Sequence, residues 1–332
     1  MAIFNNTAFT PVIEQDEDYI VSQYPNIMPT SESAWEIAAE GYQDIHKLLA
    51  GVYVSDIMIE QSVMTESADA EALTEATVSD FVKKAVDKFV EIKNKIIAWF
   101  KKVLDNLKVR FTSSSKFVAT YEKQILAKAK VVSGYKPNRH TINEDVEGIV
   151  GGAIKKVADF AKSNAANKKG EAVEDFGEKM IKHIDSKATD FNSLKKTLRG
   201  KIISDTTTDA PVTEAIAKSM VEYCKKVSDQ LKAIETIKKD NIKAIDGFIT
   251  DIQTSGKDVA IVHPLVANYN KATSLIQQLN TVATSAVNAI NSEYVGILRG
   301  LMVKKVKEAY DGSELMEESA TNTIFETALE MI

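Results

Sequence analysis

"LVANYNKATSLIQQLNTVATSAVNAINSEYVGILRGL", residues 265–301, carries only three charged side chains: Lys271, Glu293 and Arg299. Its apolar residues return at helical intervals: Leu265, Tyr269, Ala272, Ile276, Leu279, Ala283, Ala286, Ile290, Tyr294, Ile297 and Leu301. The steps alternate between four and three, close to a heptad. This predicts a long helix from just after Pro264 to about Tyr310, with Ala272, Ala283 and Ala286 allowing close helix approach. A second stripe precedes it, from Thr213 to about Thr254: Ile216, Met220, Tyr223, Val227, Leu231, Ile234, Ile245, Ile249 and Ile252, loosened in the middle. "TSGK" (254–257) separates the two. Two such helices joined by a short turn predict an antiparallel hairpin, each arm ~60 Å long at 1.5 Å per residue.

Upstream lies the clearest amphipathic segment, "TVSDFVKKAVDKFVEIKNKIIAWFKKVLDNLKVRF" (77–111). Phe81, Phe89, Ile96, Trp99 and Phe100 fall on its broad apolar face. Lys83, Lys84, Lys88, Lys95, Lys101, Lys102 and Lys108 occupy much of the remainder. "TSSS" (112–115) predicts a break, followed by a helix with Phe117, Tyr121 and Ile125 on one stripe, ended by "SGYKPNRH" (133–140). Residues 144–200 read as two or three shorter helices, broken near "NAANKKG" (164–170) and "SKATDFNS" (186–193). "SDTTTDAP" (204–211) reads as a loop before a capping Thr213, and no sheet is predicted. With 14 Gly and 6 Pro among 332 residues, breakers are scarce. The expected class is all-α: an elongated helical bundle with a long C-terminal antiparallel hairpin and flexible acidic ends.

The first 75 residues differ in kind. Pro11, Pro25 and Pro29 and the cluster Glu14, Asp16, Glu17 and Asp18 predict an extended arm. Ser33 and Glu36 have capping-box spacing before a short helix marked by Trp35, Ala38, Tyr42, Ile45 and Leu49. Residues 60–77 are small and acidic, the composition of an exposed linker.

Charge follows these divisions. Residues 1–75 hold 14 Asp/Glu and one Lys, and residues 311–332 hold 6 Asp/Glu and no base. The 40 Lys/Arg and 27 Asp/Glu between them leave a middle of +13 inside a chain of −6. Such segregation predicts partners that differ between ends and middle, or ends that screen the middle. Four segments follow: an acidic arm and helix, 1–75, as a propeptide candidate; a basic helical body, 76–204; a long hairpin, 205–310; an acidic tail, 311–332.

Catalytic signals are absent from the pattern. His46, His140, His183 and His263 lack partners at metal-binding spacing. Cys224, the single cysteine, lies near an apolar stripe without an activating motif and excludes an intramolecular disulfide. "GIVGGAIKK" (148–156) lacks the spacing of either phosphate loop. No catalytic residue, cofactor or metal is expected. The start has no signal-peptide pattern, and no apolar run approaches 18 residues, the length of a membrane span. Contact between the lysine-rich body and nucleic acid would go to phosphates, without sequence preference. The 78–107 helix also has the pattern of an interfacial membrane helix, and the same pattern serves a helix packed on its own domain.

At the charge boundary stands Leu73-Thr74-Glu75-Ala76, with Glu66-Ser67 upstream in Val63-Met64-Thr65-Glu66-Ser67 and Glu317 downstream in Leu315-Met316-Glu317. These resemble the apolar-x-Glu sites, followed by a small residue, that prohead proteases cut in structural proteins of large tailed bacteriophages. The order of "VYVSDIMIEQSVM", the acidic linker, the lysine-aromatic helix and "SKFVATYEKQIL" is similar to the N-terminal half of such virion proteins, over roughly residues 45–130. The resemblance implies a non-enzymatic virion structural or internal head protein. It would be assembled in the host cytoplasm, trimmed by a prohead protease, and contact other virion proteins and non-specific DNA. Oligomers through the long helices fit the same reading. The alternatives are a membrane-active helical protein delivered at DNA ejection, and an enzyme with an unrecognised site.

Overall fold

The computed structural model describes residues 75–132, 134–165, 173–255 and 259–303. The acidic arm, its predicted helix and the acidic tail lie outside them. The described chain is all-α apart from one two-stranded sheet. Its elements are α1 (Glu75–Val131), β1 (Arg139–Ile142), a π-helical turn (Glu147–Gly151) running into α2 (Gly152–Asn164), α3 (Val173–Ile184), α4 (Phe191–Ile202), β2 (Ile203–Thr208), α5 (Glu214–Lys225), α6 (Val227–Thr254) and α7 (Val259–Val303).

α7 contacts each of the other six helices. Its heptad stripe predicts one buried face, but burial runs almost all the way round. Asn268, Asn270, Thr273, Gln277, Asn280, Thr284, Ser285, Asn288 and Asn291 are buried alongside Leu265, Ile276, Leu279 and Ile290. The reason lies in the kind of polar residue. Amides and hydroxyls can be paired inside a protein, whereas bare charges there are very costly. The predicted start shifts as well: α7 begins at Val259, with Pro264 inside it.

α6 lies alongside α7 in opposite direction. Asp251 Oδ2 accepts from the Tyr269 hydroxyl at 2.6 Å, Asn241 Nδ2 donates to Asn280 Oδ1 at 2.7 Å, and Asn291 Nδ2 donates to Gln230 Oε1 at 3.0 Å. Partners descend on one helix as they ascend on the other. Phe248 stacks on Tyr269 with ring centroids 4.2 Å apart.

The predicted break at 112–115 does not occur: α1 is continuous for 57 residues. Ser113 Oγ donates back to the Val109 carbonyl at 3.2 Å, a bond compatible with helix. Ser114 is buried, and its small side chain donates to Asn291 Oδ1 at 2.8 Å. Serines read as breakers therefore mark a close crossing with α7. The crossing also divides two cores. The larger takes α1 from Phe81 to Phe111 with α2, α3, α4, α6 and α7 as far as Ile290. The smaller takes α1 from Phe117 to Ala129 with Val132, α5 and α7 from Val295 to Leu301. Both draw residues from either side of position 204.

The single helix predicted from Thr213 to Thr254 is two. Lys226, at φ −90° and ψ 59°, breaks it into α5 and α6 where the stripe loosened. Thr213 caps α5 as its sequence position predicts, accepting from Ile216 N–H. At the other end the Tyr223 carbonyl accepts from Lys226 N–H at 3.1 Å, and Gln230 Nε2 donates to it as well. Ser114, Asn291, Gln230 and Tyr223 thus form one hydrogen-bonded relay through α1, α7, α6 and α5.

"SDTTTDAP" and "SGYKPNRH" are not wholly irregular. Parts of these predicted loops pair as an antiparallel ladder, Arg139 with Thr208 and His140 with Thr207. Threonine favours strand, but strands this short carry no readable period. α4 opens on a capping box between Asp190 and Ser193, at the predicted 186–193 break.

Replacing Asn291 by Leu should strand the Ser114 hydroxyl and the Gln230 carbonyl inside the protein. The expected loss is about 2–4 kcal/mol in urea unfolding, against about 1 kcal/mol for Ser114→Ala, which removes a single bond. Equal small losses for both would contradict the relay.

Candidate functional site

α1 separates charge from apolar surface. It carries 13 Lys/Arg against 6 Asp/Glu, a net of +7. Lys83, Lys84, Lys88, Lys95, Lys101, Lys102 and Lys108 are all exposed. Opposite them, Phe89, Ile96 and Phe100 are 0% exposed, Trp99 5% and Phe81 8%. The face that could have been a membrane face is therefore the packing face of the larger core. Glu91 is shared by Lys88 (3.3 Å) and Lys95 (3.7 Å), so it offsets one charge between two lysines. Exposed pairs of this kind contribute little and exchange readily with other anions. Lys93 is different: half-buried, it meets Asp246 of α6 at 2.8 Å and holds α1 against it.

Glu75 and Ala76, the candidate cut, stand in the first turn of α1. A protease reading residues 73–76 in extended form would have to open that turn. Leu73, Glu66, Ser67 and Glu317 lie outside the described residues.

The glycine-rich stretch after Glu147 is occupied by the protein itself. Asp145 Oδ1 accepts from Gly148 N–H at 2.8 Å. At Gly151 a Cβ would come within 3.4 Å of Ile237, which places this glycine at a close helix contact. His140 Nδ1 pairs with the Ser204 carbonyl at 2.8 Å, and the His183 ring packs on Phe160 with centroids 5.3 Å apart. Among the described residues, no group of three His, Cys, Asp or Glu could hold a metal ion, and no helix is long and apolar enough to cross a membrane.

One concavity was not foreseen. Along α7, Ser285, Ala289, Ser292 and Gly296 follow one another at steps of four, three and four, so small side chains share one face. α4, the start of β2 and the 135–138 segment flank this face without filling it, leaving a cleft of about 420 Å³. Ile202, Ile203, Pro137 and Ile297 give it apolar walls, and Arg199, Glu293, Asn138 and Asn288 supply polar groups. The walls are anchored. Tyr135 donates its hydroxyl to the Ile297 carbonyl at 3.3 Å, and its own carbonyl accepts from Val212 N–H at 3.0 Å. Gly300 makes room for it, since a Cβ there would collide with the Tyr135 hydroxyl. Glu293 Oε1 accepts from His140 N–H at 3.0 Å, tying β1 to α7. The signal in the sequence was the row of small residues, but their spacing also suits close packing, as at Ala286.

Close by, Tyr294 donates its hydroxyl to Glu144 Oε1 at 2.8 Å and meets the Tyr223 ring edge-on at 5.1 Å. Burial, with the Glu144 carboxylate second, raises both phenols above their ordinary range. The neighbouring Cys224 is fully buried, and burial first and Glu144 second push its thiol up to about 12.

Cys224 should therefore resist alkylation at pH 8 in the native protein and react fully in denaturant. Mass spectrometry of the labelled chain checks this, and rapid native labelling would show that the α1–α5 seam opens. Set beside known proteins, the chain matches no family model, and no curated protein or solved structure was found to be similar to it.

Proposed function

We propose that this chain is a non-enzymatic structural protein of a phage virion, made as a precursor, whose lysine-bearing body lies against packaged DNA or the inner shell. The observation that carries the reading is the division of α1. Its lysines face solvent at every position expected to meet a polyanion, while its apolar face is consumed by the core. A surface of this kind meets phosphates as point charges, without reading sequence. The acidic ends, with −13 before residue 76 and −6 after residue 310, would compete for the same lysines until removed. Glu75 and Glu317 are the cuts that separate them.

The membrane-active alternative requires Phe89, Ile96 and Phe100 to leave the core, which would dismantle the larger core. The enzymatic alternative has a cleft in its favour. Its Ser285 hydroxyl, however, is bonded to the Val282 carbonyl, and the nearby His140 Nδ1 to that of Ser204. No nucleophile–base pair among the described residues supports catalysis there.

Binding to random-sequence duplex DNA should fall steeply with salt, its logarithm dropping by about 0.9 per phosphate contact against log salt. The triple variant Lys83→Glu, Lys84→Glu, Lys88→Glu should lose at least roughly tenfold in affinity at low salt and flatten that slope by about 2–3. A chain ending at Glu317 and starting at Ala76 should bind more tightly than the full chain. Salt-insensitive binding, or an intact Met1–Ile332 species in mature particles by mass spectrometry, would overturn the proposal.

A further inference from the structure

We propose that residues 324–332 of this chain dock in the cleft over α7, so that the acidic tail covers it from within the same molecule. The place where the chain leaves the described structure is the first reason. Ser285, Ala289, Ser292 and Gly296 form the small-residue face of α7, and position 303 stands seven residues beyond Gly296. Seven residues make two turns, so the chain leaves α7 on the cleft's own face, about 10 Å along the axis from Gly296. Residues 304–323 then give roughly 65 Å of reach, more than enough to turn back to it.

The sequence of the tail is the second. In "TIFETALEMI" (323–332), Ile324, Phe325, Ala328, Leu329 and Ile332 recur with the period of one helical face, and Glu326 and Glu330 fall opposite. Pro137, Ile202, Ile203 and Ile297 offer that apolar face its counterpart, in a volume of about 420 Å³ with room for a few large side chains. The charges are complementary. α4 carries Lys195, Lys196, Arg199 and Lys201 and no carboxylate, and Lys136 and Arg139 border another wall at Pro137 and Asn138. Glu293, a carboxylate lining the cleft, accepts from His140 N–H. Against these cations, residues 311–332 hold six Asp/Glu and no base. The tether does the rest: a segment held this close has an effective concentration on the order of millimolar, so modest contacts suffice.

Hydrogen exchange of the full chain, read by mass spectrometry, tests this. Peptides covering 324–332 should exchange at least roughly tenfold more slowly than the same peptides in Gly296→Leu. Gly296 lines the cleft, and a Cβ added there meets nothing within 4 Å, so leucine occupies the space while helix is favoured. An unchanged circular dichroism spectrum checks that the fold is kept. Phe325→Glu, made on the tail instead of the cleft, should lose the same protection. Protection in the unaltered chain should be independent of protein concentration. Unprotected 324–332 in that chain, or protection that survives either variant, would overturn the proposal. So would protection that fades on dilution, which assigns the cleft to the tail of a second copy. None of these readouts involves DNA, so this docking and the lysine-face reading fail separately.

Discussion

A helix surrounded by others must settle every polar group it carries without water. α7 answers most of this demand with neutral side chains and partners on neighbouring helices, its one buried charge, Arg299, lying over the Phe117 ring. Threonines turn back on its own backbone, as Thr273 does to the Tyr269 carbonyl and Thr284 to that of Asn280. Asparagines reach outward: Asn268 to the Ala165 carbonyl at the end of α2, Asn280 to α6, Asn291 to α1 and α6. Each outward bond fixes one neighbour's height along α7. Apolar contacts alone tolerate sliding by a turn at modest cost, but a displaced buried amide loses its partner and its hydration together.

That division of labour explains what could be read in advance. Helices show through periodicity, and the stripes on α1, α6 and α7 were visible because apolar residues recur on one face. What periodicity does not report is who stands opposite. Ser114 reads as a helix breaker because the sequence does not show Asn291 beside it, nor does it show Gln230 holding the Tyr223 carbonyl. The strands failed for a different reason, being too short for alternation to emerge, and their pairing partners are more than sixty residues apart. The lysine face of α1 was legible because exposure follows from the helical period. The cleft was not, because empty space between elements is a property of their arrangement.

The two surfaces differ in physical character. The lysines of α1 are solvated point charges, and the attraction of such charges for any polyanion fades with salt. The cleft is half-open, with apolar walls and polar groups from Asn138, Arg199, Asn288 and Glu293. One protein can carry both because the sites use opposite properties of the helices: the outward charge of α1, and the missing bulk at Ser285, Ala289, Ser292 and Gly296 on α7.

α1 also sets the geometry of the chain's ends. The acidic arm joins it at residue 75, while Lys128, near its other end, donates to the Met302 carbonyl at 2.7 Å, just before the acidic tail begins. Those two anchorage points are separated by ~80 Å of continuous helix. The chain therefore enters the described structure at one end of α1 and leaves it beside the other, so its first and last described residues stand at opposite ends of a single rod.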